Sequence, residues 1–266
     1  MASHLYLIVL YNQPLSHAQS YQSLVSQVDD ADEVLIYDNS PVSQLDIELP
    51  GGWDYRHDAT NPGLAAAYNF AVAQCVEKGI IWLTIFDQDT DVPTGFFATL
   101  KKAVVNSDAT AIVPRVVMQN GTQISPFMIE NGLFVLKHRQ HTLAAINSGV
   151  TLNIPKLDPQ PFNLKFPLDF LDYDFFKRLA QNHASIEEIT PTLIQDLSLG
   201  NYREMSITRF TAFLSAEGRF VAAYYPGQMW QYRLRVFVRL IRSMLRRVQG
   251  DKLRVMARMS LKGAVD

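Results

Sequence analysis

Apolar runs alternate with amphipathic stretches from the start of the chain. Residues 5–10 form a continuous apolar run of strand length ending at Tyr11-Asn12-Gln13-Pro14, the pattern of a buried strand feeding a loop. Ser16 stands at an N-cap position, and Tyr21, Leu24, Val25 and Val28 follow at helical spacing. A short strand over 34–37 is stopped by Asp38-Asn39-Ser40-Pro41, four turn-favouring residues. After a Pro/Gly loop and a short stretch around Tyr55, Asn61-Pro62-Gly63 opens a helix on which Leu64, Tyr68, Ala71 and Cys75 share a face. The strand over 80–86 ends in Asp87-Gln88-Asp89, and a helix begins near Pro93.

A further strand at 111–113 leads to a β excursion through Asn131-Gly132 to Val135. Asn147-Ser148-Gly149 and a Pro-rich loop follow, before the acidic stretch 169–174 enters a helix. Strand–helix alternation over the first 110 residues predicts an α/β fold with a mostly parallel sheet flanked by crossover helices. Ligands of such sheets gather at the carboxyl ends of the strands. Here those ends carry Asn12, Asp38, Asn39, Asp87 and Asp89.

Composition narrows the class. Of 266 residues, 48% are hydrophobic and 19% charged, enough to build a large core. The single Cys75, on a core-facing stripe, excludes an internal disulfide, favours a reducing compartment and reads as packing rather than as a nucleophile. No apolar stretch reaches the ~20 residues of a spanning helix and no basic n-region precedes the first apolar run, so the cytosol is the expected compartment. A formal charge of −2 gives no reason to propose nucleic acid, yet the charge is uneven. Residues 230–266 hold ten Lys/Arg against two Asp/Glu, a net +8, which leaves −10 for the rest.

Asp87 and Asp89, two apart directly after an apolar strand, suit a hard divalent cation that bridges phosphates. The plainer alternative is that they cap the next helix. In the acidic stretch, Asp172 and Asp174 also favour a helix N-terminus, and Asp174 can pair with Arg178 four residues on. His183 reads as a surface or packing residue, while His138 and His141, the one histidine pair near metal-ligand spacing, lack the helix signal such a pair needs.

The order of these motifs resembles the family 2 glycosyltransferases of the GT-A fold, especially the bacterial rhamnosyltransferase-like members that build surface polysaccharide, over roughly residues 4–225. The landmarks are Tyr11-Asn12, Asp38-Asn39-Ser40, Asn61-Pro62-Gly63 with Asn69, Asp87-Gln88-Asp89, Ser148-Gly149, and Asp169-x-x-Asp172-x-Asp174-x-x-x-Arg178. The resemblance implies an inverting hexosyltransferase that moves a sugar, rhamnose, from a dTDP- or UDP-linked donor to a glycan or lipid-linked acceptor. By the same likeness Asp38 bonds the pyrimidine base, Asn61 and Gly63 line the nucleotide loop, Asp89 holds Mg2+ or Mn2+ on the diphosphate, and Asp172 is the catalytic base. Tyr11, Asn12, Asn39, Asn69, Asp87 and Gln88 complete the donor side. Ser148, Gly149, Asp169, Asp174 and Arg178 fall on the acceptor side or behind it. Many relatives carry a histidine where this chain has Gln195, a poorer ligand, so strict cation dependence is open.

The implied organisation is a catalytic domain at 1–227, with a nucleotide-binding half at 1–110 and an acceptor-binding half at 111–227, and an amphipathic basic helical tail at 228–266. In the tail, Trp230, Leu234, Phe237, Ile241, Met244, Leu245 and Val248 form one stripe, with Arg235, Arg239, Arg242 and Arg246 on the far side. Such a helix can lie on the inner face of an anionic bacterial membrane; the alternatives are docking on the catalytic domain or a homo-oligomer interface. Three other functions stand beside transfer. A nucleotidyltransferase lacks its Gly-rich loop after strand one, an inactive scaffold has no need to keep Asp38, Asp89 and Asp172, and a glycoside hydrolase has no need of a diphosphate site.

Overall fold

The computed structural model describes residues 4–29, 31–130, 141–195, 205–246 and 248–262. Four strands open the chain: β1 (His4–Leu10), β2 (Glu33–Asp38), β3 (Trp53–His57) and β4 (Trp82–Asp87). β1 lies between β2 and β4 and runs parallel to both, with Leu10 opposite Asp38 and Val9 opposite Asp87. All seven β1 residues are buried, as an apolar run covered on both faces requires. Helices α1 (Gln19–Val25), α2 (Leu64–Lys78) and α3 (Phe96–Asn106) make the connections.

The sheet continues through β5 (Ala111–Val117), β6 (Gln123–Ser125), β9 (Thr151–Asn153) and β10 (Ile186–Ile194), in the order β10-β5-β9-β4-β1-β2-β3 with β6 on β5. Only β9 and β6 run antiparallel to their neighbours, so the expected mostly parallel α/β sheet is what forms. A separate two-stranded ribbon joins β7 (Phe127–Glu130) and β8 (His141–Ala144). The excursion expected at 131–135, like His138, lies outside the described residues. On one face of the sheet Tyr6 meets Phe97 edge-on at 5.1 Å, within a buried cluster that includes Phe86, Phe96 and Leu193. Each such buried side chain contributes about 1.5–3 kcal/mol. Cys75 is fully buried on α2, and burial pushes its thiol up to about 12, as a packing residue requires.

Ser16 is not an N-cap. A 3-10 turn spans Leu15–His17, and α1 starts at Gln19 with Ala18 before it. Ser16 instead gives its hydroxyl and, at 3.0 Å, its backbone N–H to the Asp46 carboxylate, a charged acceptor that competes well against a helix end.

The chain forms two compact units, residues 1–127 with 143–196 and residues 128–142 with 197–266. The second holds α5 (Ile207–Tyr224), α6 (Met229–Leu245) and α7 (Gly250–Lys262). The expected cut at 227 separates α5 from α6, whereas the two helices are bonded together. Arg239 makes a two-pronged ion pair with Glu217 at 2.9 and 3.0 Å, and the Tyr232 hydroxyl donates to the Leu214 carbonyl at 3.3 Å. The tail is helical, in two pieces, and Val248, expected at the end of the stripe, lies past the end of α6. Helix α6 packs through Tyr232 and Val236, while the stripe from Trp230 to Leu245 is exposed.

Candidate active site

Parallel pairing brings the loops after β1, β2 and β4 to one edge, where side chains stitch them together. Asp38, fully buried at the end of β2, accepts the Ser40 N–H at 2.8 Å on one oxygen. Its other oxygen accepts the Gln44 N–H at 2.8 Å and the Tyr55 hydroxyl. Burial, and then the bond to Asp38, raises the Tyr55 hydroxyl above its ordinary range. Asp38 therefore shapes the 39–44 loop from inside. Asn12, at φ 51, donates its N–H to Ser40 Oγ at 2.8 Å, and Asn39 donates its N–H to the Leu10 carbonyl at 2.9 Å. The Gln88 amide accepts the Tyr11 N–H at 2.7 Å and donates to Gln13 Oε1 at 2.8 Å, which ties the β4 loop to the β1 loop.

At the end of β4 the Asp87 N–H donates to Ser148 Oγ at 3.0 Å, and Ser148 shares a hydrogen bond with the Thr90 hydroxyl. Gly149 beside it has φ +80, and a Cβ there would sit 2.3 Å from Leu193 Cδ1 and 2.7 Å from Pro114 Cγ, so only glycine fits. Burial raises the Asp87 carboxyl, opposed by hydrogen bonds from Gln195 and Tyr68. The Gln195 Nε2 donates to Asp87 Oδ2 at 2.9 Å and to Asp89 Oδ1 at 3.1 Å. Its Oε1 is buried and has no hydrogen-bond partner among the described residues. Backbone bonds in both directions between Asp91 and Ile194 hold this contact in place.

No group of three or more His, Cys, Asp and Glu suited to a metal ion occurs among the described residues. Two carboxylates and an unsatisfied amide oxygen are nevertheless hard donors of the kind a divalent cation takes. The set fits such a cation once the Gln195 amide turns its oxygen towards it.

The acidic stretch lies on α4 (Leu171–Gln181), which begins after Phe170 at φ 60. Asp172 is half-buried, and its carboxyl is held at about 7. Desolvation is the main cause and the charges of Asp87 and Asp169 add to it, while the backbone N–H of Tyr173, 2.9 Å away, opposes it. Asp172 and Asp87 also both raise the buried Tyr68 hydroxyl, behind desolvation, which places both acids beside one ring.

Asp174 and Arg178 pair as their spacing predicts, and Asn69 and Gly63 also make contacts that hold the fold. Asp174 is buried and accepts Arg178 Nε at 2.9 Å and Asn163 Nδ2 at 3.3 Å, and Arg178 also donates to the Pro161 carbonyl. Asn69 spends both ends of its amide on the Phe162 main chain, donating at 2.7 Å and accepting at 3.0 Å. Gly63, at φ +90, allows Pro167 to approach, since a Cβ would lie 2.6 Å from the Pro167 carbonyl oxygen. Asn61, at φ 48, is exposed on the same loop. His183 is exposed beyond the end of α4. Sequence reasoning missed Tyr55 and Tyr68 as site residues. Tyr68 sits among core positions of α2, and only its proximity to Asp87 sets it apart, with the hydroxyl 3.5 Å from Oδ1.

The family model described as glycosyl transferase family 2 matches residues 6–150, the part of the chain that carries β1, β2, β4 and their loops. Among solved structures, GalNAc-T7 with UDP, GalNAc and Mn2+ superposes with a TM-score of 0.52 at 12% identity, over 81% of this chain and 47% of that one. Staphylococcus aureus TarS gives a TM-score of 0.49 at 11% identity, over 85% of this chain and 45% of that one. The chain thus spans about half the length of these two proteins. No curated protein matches the sequence. The sheet and its helices are those of the GT-A fold.

Proposed function

Because the chain belongs to glycosyl transferase family 2, we propose that it moves a sugar from a nucleoside diphosphate to an acceptor hydroxyl with inversion at the anomeric carbon, Asp172 acting as base. The observation that carries this reading is the Asp172 carboxyl, poised at about 7 beside the Asp87-Gln88-Asp89 loop. A base is most effective when its affinity for a proton matches the working pH. The acceptor O–H gives its proton to Asp172 as its oxygen bonds to the anomeric carbon. The bond to the diphosphate oxygen breaks on the opposite side, and its electron pair leaves with the phosphate.

Asp89, with Asp87 and the Gln195 amide oxygen, would hold a divalent cation, which when bound supplies positive charge to the departing diphosphate. The Asp38–Tyr55–Ser40 network shapes the 39–44 loop, which would receive the base of the nucleotide. The motif order supports rhamnose as the sugar and a surface-glycan or lipid-linked precursor as the acceptor. GalNAc-T7 was solved with UDP and Mn2+, so these are the first ligands to try alongside dTDP-sugars.

The test is calorimetric titration with UDP- and dTDP-sugars, with and without Mn2+, followed by NMR of the anomeric proton in the product. Binding of a nucleotide sugar and an inverted product are expected. A retained anomeric configuration, or no affinity for any nucleotide sugar, overturns the reading.

A further inference from the structure

Helix α6 presents an apolar face that nothing among the described residues of its own unit covers. Trp230, Leu234, Phe237, Ile241, Met244 and Leu245 follow one another at helical spacing and are between 43% and 80% exposed. The opposite side is the packed one, through Tyr232, Val236 and the Arg239–Glu217 pair. The exposed stripe is therefore not the outer rim of a core contact. It is a second apolar surface on a helix that already has its partner, and an exposed apolar patch of this size marks an interaction site.

Charge identifies the occupant. Arg235, Arg242 and Arg246 flank the stripe on one side and Arg233 on the other, all exposed, and residues 229–245 contain no Asp or Glu. A second copy laid on this face would set arginine against arginine. No helix among the described residues is long and apolar enough to cross a membrane. A helix that carries Trp, Phe and Leu on one face and arginines beside it, without an acid, has the composition of an element that lies in the headgroup plane.

We propose that α6 is an interfacial membrane helix, its Trp230-to-Leu245 face entering the acyl boundary of an anionic bilayer while Arg235, Arg242 and Arg246 meet lipid phosphates. The inference goes beyond the transfer reading and rests on α6 alone. Because the face is already exposed, binding requires no rearrangement of the helix bundle. The bundle would fasten the protein to the bilayer surface without spanning it.

The experiment is co-flotation of the full chain with vesicles of phosphatidylcholine alone or with about one-third phosphatidylglycerol. Each arginine near the surface contributes on the order of 1 kcal/mol, so three of them favour the anionic vesicles on the order of 100-fold at low salt. High salt should erase most of that preference. The triple variant Leu234→Gln/Phe237→Gln/Ile241→Gln should bind at least about tenfold more weakly at unchanged helicity, melting temperature and nucleotide affinity, because these side chains face solvent already. Bromine-labelled acyl chains should quench the emission that Trp230→Phe removes. Equal binding to both vesicle types overturns the proposal, as does wild-type binding by the triple variant. So does a concentration-dependent dimer that the triple variant abolishes in a chain that ignores vesicles. Loss of nucleotide binding with vesicle binding intact would instead count against the transfer reading.

Discussion

Replacing Asp172 by asparagine should make this protein more stable and nearly inactive at once, and the two effects share one cause. The carboxyl is held at about 7 against an ordinary value of 3.8. Between those values the folded protein keeps a proton that the unfolded chain has lost, so stability falls as pH rises through this window. Three units at about 1.4 kcal/mol each set a ceiling of about 4 kcal/mol, and solvent screening at a half-buried site brings the expectation to about 2 kcal/mol. Asparagine keeps the shape and carries no charge, so it should recover that amount at pH 8 and nothing near pH 3.5. For a unit of this size the gain is a rise of roughly 4–8 °C in Tm. Turnover should fall by about 10²–10⁴, the range for loss of a general base, with donor affinity near wild type. In the unmodified protein, kcat/KM for the donor should rise with pH and level off above about 7. Scanning calorimetry at the two pH values and a nucleotide-release assay read both effects. Wild-type turnover in the variant, or a melting temperature at pH 8 that fails to rise, would refute the reasoning.

Gln195→Glu replaces a donor by an acceptor between two carboxylates. It should lower stability without cation and tighten Mn2+ binding by about tenfold or more in an electron paramagnetic resonance titration; unchanged affinity would remove Gln195 from the cation set. Gly149→Ala should cost about 2–4 kcal/mol in urea unfolding, since the left-handed backbone and the 2.3 Å approach to Leu193 act together. Tyr55→Phe removes one donor from buried Asp38 and should cost about 1–3 kcal/mol, with a matching loss of nucleotide affinity if the 39–44 loop is the base-binding wall. His4 is buried against the Thr84 hydroxyl at 2.7 Å, and burial lowers its ring to about 3. The unfolded chain then binds the extra proton between about 6.5 and 3, so stability should fall as pH drops through that window, and His4→Gln should flatten the decline.

The apolar runs that became β1, β2 and β4 were legible because each is local, and with them the edge where the acids gather. The three-residue β9 was not, because it is held by pairing with Leu83 and Ala111, residues far away in sequence. Polar landmarks fared unevenly for a similar reason. Asp87 and Asp89 could be singled out as acids after a strand, whereas Asp172 stands out only through the family resemblance, since Asp174 shares its place at the helix start. That Asn69 binds main chain 93 residues away, or that the Gln195 amide spans Asp87 and Asp89, is long-range geometry with no local signature. In the tail, spacing gave the amphipathic stripe. Helix α6 has a second apolar pair in Tyr232 and Val236, and only packing decides which of the two is covered.

The clasp between α2 and the segment bearing Asp172 bears on how relatives of this chain can exchange parts. Asn69 grips Phe162 from both sides, Gly63 leaves room for Pro167, and the Ala65 N–H reaches the Pro167 carbonyl at 3.3 Å. A replacement of 161–178 that shifts Phe162 or Pro167 would break this clasp. Segments 61–69 and 161–178 therefore act in this chain as one discontinuous pair. Chimeras that replace this segment should keep their thermal stability when both pieces travel and lose it when one is left behind.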